Sequence, residues 1–165
     1  MQGELVQQDG RWNLLFTRTL PHPQEKVWRA ITEPDHLKAW FPTGIEGEWR
    51  VSAPLNFSSE YGDFKGEVIA VDPPRLLEFR WGTDIVRLEL TREAQGTKLT
   101  LIDTIDEPGK AARDAAGWDD CLARLEHHVD GTPAPADRWK ELFPQYIEKF
   151  GPEASTVGPP AAVER

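Results

Sequence analysis

The chain has a single cysteine, Cys121, which excludes an intrachain disulfide and a thiolate-bound metal cluster. It has no apolar run approaching the roughly 18 residues a membrane-spanning helix needs. Its first ten residues, Met1 to Gly10, hold no apolar core of the kind a secretory signal requires, so a cytoplasmic location is expected. Basic charge is short as well: Lys and Arg number 19 against 28 Asp and Glu, a net charge of −9. Without a basic cluster there is no footprint for a phosphate backbone or an anionic lipid surface, and nucleic acid and membrane are not expected partners. A nucleophile elbow, a phosphate-cradling Gly-rich loop and a dinucleotide fingerprint are all missing, so no cofactor is expected.

What the chain does have is large aromatic rings. Seven Trp and seven Phe stand against two Tyr in 165 residues, a length that suits one domain with a sizeable core. Such rings either fill a thick core or line a pocket.

Arg11 to Thr19 puts Trp12, Leu14 and Phe16 on one face and reads as a strand. Pro21 and Pro23 open a short helix with Val27, Ala30 and Ile31 on its apolar side. Glu33-Pro34 starts another, carrying Leu37, Trp40 and Phe41, and Pro42 and Gly44 stop it. From Ile45 to about Ile105 the pattern is antiparallel β. At Gly82-Thr83 a two-residue loop with glycine first fits a type II′ turn. That register sets Phe79 opposite Val86, Leu77 opposite Leu88 and Glu78 opposite Arg87, which keeps the faces pure. A second hairpin near Gln95-Gly96 keeps Leu88 and Leu90 on the face of Leu99 and Leu101.

One apolar sheet face needs a cover. Lys110 to Val129 supplies an amphipathic helix, with Ala115, Trp118, Leu122, Leu125 and Val129 at helical spacing. Its other side, Arg113, Asp114, Asp119, Asp120 and Arg124, reads as solvated, and the adjacent Asp119 and Asp120 diverge too much to act as a pair. Asp137 to Phe150 is a further helical segment, kinked at Pro144 and striped by Trp139, Leu142, Phe143, Tyr146 and Phe150. The expected organisation is a flexible N-terminus (1–10), one domain (11–131), a helical extension (132–150) and a disordered tail (151–165).

Three stretches carry a family resemblance. The first is Thr17-Arg18-Thr19-Leu20-Pro21, running through Val27-Trp28 to Thr32-Glu33-Pro34-Asp35-His36-Leu37-Lys38-Ala39-Trp40-Phe41. The second is Phe64-Lys65-Gly66-Glu67-Val68 with Asp72-Pro73-Pro74-Arg75-Leu76 and Phe79-Arg80-Trp81. The third is Gly117-Trp118-Asp119-Asp120-Cys121-Leu122. In this order they resemble the START-like (SRPBCC, helix-grip) superfamily, in the branch named after the activator of the heat-shock-protein ATPase. The resemblance implies an α+β helix-grip fold: a curved antiparallel sheet of about six or seven strands gripping a long C-terminal helix. Two short helices would follow the first strand, and an extra helix would end the chain. It also implies a cavity between sheet and helix, which in the wider superfamily holds lipids, sterols, polyketides or other apolar molecules. The eukaryotic namesake is a co-chaperone with a separate N-terminal domain. Here about ten polar residues precede Arg11, so no stimulation of a chaperone ATPase is expected.

The first expectation for function is therefore binding of a small apolar or aromatic molecule. The alternatives are an enzyme of cyclase, aromatase or hydrolase type in the same cavity, and a protein-interaction module, as a monomer or homodimer. Face parity and the resemblance nominate Trp49, Phe57, Phe79, Trp81, Leu88, Leu90, Leu101, Trp118 and Leu122 as pocket lining, with Asp103 as a polar handle. Asp103 stands where many relatives carry histidine. An inward carboxylate there could act as acid or base. The reading favoured from sequence has it at the strand end, solvated or capping the helix after Pro108. No catalytic residue is therefore nominated. His22, His36, His127 and His128 lack metal-ligand spacing, and no metal site is expected.

Overall fold

The computed structural model describes residues 3–159 of the protein. An eight-stranded antiparallel sheet forms, in the spatial order β1-β2-β8-β7-β6-β5-β4-β3. Its strands are β1 (Glu4–Gln8), β2 (Arg11–Leu20), β3 (Gly44–Glu46), β4 (Pro54–Ser58), β5 (Phe64–Asp72), β6 (Leu76–Trp81), β7 (Asp84–Glu93) and β8 (Gly96–Ile105). Strands β3 to β8 form a meander, and β2 closes beside β8 after the chain crosses through α1 (Gln24–Thr32) and α2 (Pro34–Leu37). The sheet grips α3 (Ala111–Asp130), and α4 (Trp139–Phe150) lies against α3. This is the helix-grip arrangement. No described helix is long and apolar enough to cross a membrane.

The Gly82-Thr83 hairpin has the expected register, with Phe79 opposite Val86 and Glu78 opposite Arg87. Gly82 sits at φ 64° and Thr83 keeps a negative φ, the pattern of a type II′ turn. Alternation then sends Asp84, Val86, Leu88 and Leu90 of β7 inward, while Arg87 pairs with Glu78 at 3.2 Å on the outer face. The inner face meets Trp118, Leu122, Leu125 and Val129 of α3, all buried.

Three expectations need correction. The strand count rises because residues 4–8, expected to be flexible, pair with β2 across the Asp9-Gly10 turn, where both residues have positive φ. Within the expected tail, Pro152–Ser155 forms a 3-10 turn with Ala154 buried; residues 160–165 lie outside the described residues. Asp119 and Asp120 are not solvated but 6% and 5% exposed, because α4 covers that side of α3. Tyr146 Oη donates to Asp119 at 2.6 Å, and the Arg138 backbone N–H donates to Asp120 at 3.1 Å. Arg18 reaches Asp119 at 3.4 Å, and Arg124 pairs with Asp120. The long helix is thus buried on two sides, by sheet and by α4.

Candidate ligand cleft

Sheet and helix do not meet along the whole of α3. Around the first three turns of the helix they part, and a cleft of about 1070 Å³ opens between the β6–β7 hairpin, the segment after α2, and α4. Phe64, Trp81, Trp118 and Trp139 wall it, and Lys110 at the N-cap of α3 with Asp114, Gly117, Cys121 and Arg124 on the helix form a stripe facing it. Those five positions are spaced by four and three residues, one face of a helix. A second hollow of about 380 Å³, around Pro21–Glu25 and Arg92–Gly96, is an open notch without an aromatic wall.

The walls are held from behind. Trp81 Nε1 donates to Thr43 Oγ1 at 3.3 Å, Trp118 Nε1 to Asp103 Oδ2 at 2.8 Å, and Trp139 Nε1 to the Arg113 carbonyl at 3.2 Å. With their N–H groups turned into the protein, the indoles are left to offer apolar ring surface. Ring contacts run on from Trp118 to Trp81 (5.3 Å), Trp81 to Phe64 (5.8 Å) and Phe64 to Phe57 (5.2 Å). Gly117, on the α3 side of the cleft, has no side chain, and a Cβ built there would meet nothing within 4 Å. A glycine inside a helix costs about 1 kcal/mol relative to alanine. Here that cost coincides with open space in the cleft.

The floor is charged. Lys110 Nζ lies 3.0 Å from Asp84 and 2.6 Å from Asp106. Burial works against its charge, but the two carboxylates outweigh it and hold the ammonium above its usual range; Lys110 in turn holds Asp106 below the usual carboxylate range. Asp114 pairs with Arg113 at 2.8 Å, yet desolvation still pushes its carboxyl up. Behind these lies Asp103, 0% exposed, opposite Leu14 on one side and Val86 on the other. Burial drives its carboxyl well above the usual range, the neighbouring Asp84 and Asp114 add to this, and the Trp118 bond opposes it. The solvated strand-end position expected for Asp103 is therefore corrected: β8 continues past it and both neighbouring strands flank it. Oxygens of Asp84, Asp103 and Asp114 lie within 4.8 Å of one another.

Residues 21–130 match the model of the family described as Activator of Hsp90 ATPase homolog 1-like protein. The chain belongs to that family. The AHSA1 assignment covers the sheet from the start of α1 onward, and all of α3. No curated protein matches the chain. Solved structures do. EF2215, a conserved protein of unknown function from Enterococcus faecalis, is 23% identical with a TM-score of 0.76, each chain covered to 89%. CalU16 from Micromonospora echinospora is 23% identical with a TM-score of 0.71, over 90% of this chain and 92% of that one. These two show the fold alone. DynU16, a protein of the dynemicin biosynthetic locus, is 29% identical over 76% of this chain and 50% of its own, with a TM-score of 0.67.

Within this chain the nominated lining residues separate into two groups. Trp81 and Trp118 border the cleft, with Asp103 directly behind Trp118. Phe57, Phe79, Leu88, Leu90, Leu101 and Leu122 are at most 3% exposed and pack in the core where sheet and helix touch. Trp49 donates to the Thr32 carbonyl at 2.7 Å and leans on Phe79 at 5.5 Å. Parity identifies the inner face of a strand but not how far along the helix the layers stay in contact. Asp84, Lys110, Asp114, Gly117 and Trp139 were not nominated. A signal for Asp84 existed, since it shares parity with Val86 and Leu88. So did one for Asp114, a turn before Trp118. None of the four histidines borders the cleft; His36 Nδ1 and His128 Nε2, 2.7 Å apart, join α2 to the end of α3 instead.

Proposed function

We propose that the cleft binds a planar, mostly apolar small molecule bearing an oxygen function. The observation that carries this reading is the unfilled space beside Gly117, walled by Trp81, Trp118 and Trp139, in a molecule otherwise packed through its core. A cleft of this size, walled by rings whose hydrogen bonds are already satisfied, favours a flat apolar guest. Lys110, Arg113, Arg124 and Lys140 border the same space and suit an electron-rich oxygen on that guest. Family membership agrees with small-molecule binding, and DynU16 belongs to a biosynthetic locus. The exposed large apolar side chains among the described residues, Val6, Val51 and Tyr61, lie on three separate segments, which gives a protein-docking reading less support.

The test uses 1-anilinonaphthalene-8-sulfonate, a planar ring system with one anionic group. It is expected to bind the folded protein stoichiometrically and quench tryptophan emission by energy transfer. Gly117→Trp puts a large ring into the cleft from a position where a Cβ meets nothing within 4 Å, and is expected to abolish the response while the protein stays folded. Equal binding by this variant, or none by the wild type, would contradict the proposal.

A further inference from the structure

We infer that Asp84 and Asp103 share one proton beneath the cleft, and that with Asp114 they move protons between carbon and oxygen of a bound carbonyl compound. The inference rests on the cleft being a ligand site and adds a reaction to it.

The geometry begins with an orphan. Asp103 Oδ2 accepts from Trp118, but its buried Oδ1 meets no hydrogen-bond donor among the described residues. A buried acceptor left unpaired costs about 1–3 kcal/mol, and more when charged. The same carboxyl group has further carboxyl oxygen beside it: one oxygen each of Asp84, Asp103 and Asp114 lie within 4.8 Å of one another. Asp84 is two residues along β7 from Val86, the residue opposite Asp103, so both acids point from neighbouring strands to one face. Bare carboxylates this close repel, whereas a proton on one turns the pair into a donor and an acceptor. Asp103 is the member that takes it. Asp84, 3% exposed, already accepts from the Lys110 ammonium, and Asp114 is balanced by Arg113. Asp106 stands beyond Lys110, and β2 contributes only Leu14. Burial raises the Asp103 carboxyl in the same sense.

A divalent cation would also fit three carboxylates, but it would sit close to the ammonium that Asp84 already holds. A proton satisfies the orphan without that repulsion.

Asp84 and Asp114 border the cleft, so they are the catalytic residues, and Asp103 is the positioning residue that stores the proton. The substrate class is a planar carbonyl compound with an acidic C–H beside the carbonyl, its ring lying against Trp81 and Trp118. The C–H bond breaks and its proton passes to the Asp114 carboxylate. The electron pair becomes the enol C=C as the carbonyl π pair moves to oxygen. The shared proton passes from Asp103 to Asp84, and Asp84 hands a proton on to that oxygen. The proton on Asp114 then returns to the pair, so the protein ends unchanged and the substrate has gone from keto to enol.

The probe is 2-tetralone in D2O, with binding followed by tryptophan quenching and loss of the C–H signal beside the carbonyl followed by NMR. Wild type is expected to exchange these hydrogens at least tenfold faster than Asp103→Asn, at equal binding. The wild-type rate should fall as pH rises through the raised titration of Asp103, and the variant should lack that fall. Asp84→Asn, which keeps shape but cannot take up and release a proton, is the second variant and should also lose exchange. Infrared spectra of the wild type at neutral pH should show a protonated-carboxyl band that Asp103→Asn lacks. Binding without exchange overturns the chemistry and leaves the ligand site standing; failure to bind removes both. Absence of the infrared band, or saturable stabilisation by magnesium or calcium, overturns the shared proton.

Discussion

Tyr146→Phe tests how α4 is held, and with it the wall of the cleft that α4 supplies. The ring of Tyr146 is fully buried, and its hydroxyl makes two bonds. It donates to Asp119 Oδ2 at 2.6 Å and accepts from the Gly3 backbone N–H at 3.0 Å. Phenylalanine keeps the ring and leaves almost no void, so the cost is that of the two bonds. A hydrogen bond to a charged group contributes about 1.5–3 kcal/mol, and a buried N–H left unpaired costs about 1–3 kcal/mol. The sum is reduced by what remains: Arg18 still reaches Asp119 at 3.4 Å, and Lys149 still holds the Gly3 carbonyl at 2.7 Å. The expected loss is therefore about 2–4 kcal/mol, short of the full sum because neighbouring bonds relax. Urea unfolding should show a lower midpoint with an unchanged slope, since the same surface is exposed. Because α4 carries Trp139 and Lys140, affinity for the fluorescent probe should fall as well. A midpoint within error of wild type would refute the reasoning and leave α4 docked by apolar contact alone.

Gly82→Val should lower stability by about 1 kcal/mol or more, since a β-branched residue resists positive φ; an unchanged midpoint would remove the turn argument. Asp103→Asn should change stability in a pH-dependent way. A folded carboxyl held above its unfolded range contributes stability that is present in full below the unfolded value and is lost as pH rises through the folded one. The variant should therefore gain on wild type from acid toward neutral pH, and an offset independent of pH would contradict this. Cys121 is 4% exposed and burial pushes its thiol up to about 12, so iodoacetamide at mildly alkaline pH should label it only after unfolding; fast labelling of the native protein would show the cleft reaches deeper.

Much of the architecture could be read from residue spacing. The Gly82-Thr83 loop fixed the β6–β7 register, and Trp118, Leu122 and Leu125 marked the gripping face of α3, because alternation and helical period each tie a side chain to a side. The first strand was missed although Asp9-Gly10 is a strong short hairpin signal; few apolar residues flank it, and its anchors, Tyr146 and Lys149, are more than a hundred residues away. The burial of Asp119 and Asp120 was missed for a related reason. Their partners Tyr146 and Arg138 come from α4, and charge on a helix face carries no mark of a later helix folding over it. The cleft was legible on two of its walls, Trp81 and Trp118. Its depth along α3 depends on where sheet curvature lifts away from a straight helix, which no single strand encodes.

The central claim is that a guest occupies the space beside Gly117, and the seven tryptophans can report on it directly. Each indole N–H gives its own signal in a nitrogen–proton NMR spectrum. Titration with 2-tetralone is expected to move the signals of Trp81, Trp118 and Trp139 saturably and together, while those of Trp12, Trp28, Trp40 and Trp49, which do not border the cleft, stay in place. Shifts confined to the second group, or none in the first, would contradict the account.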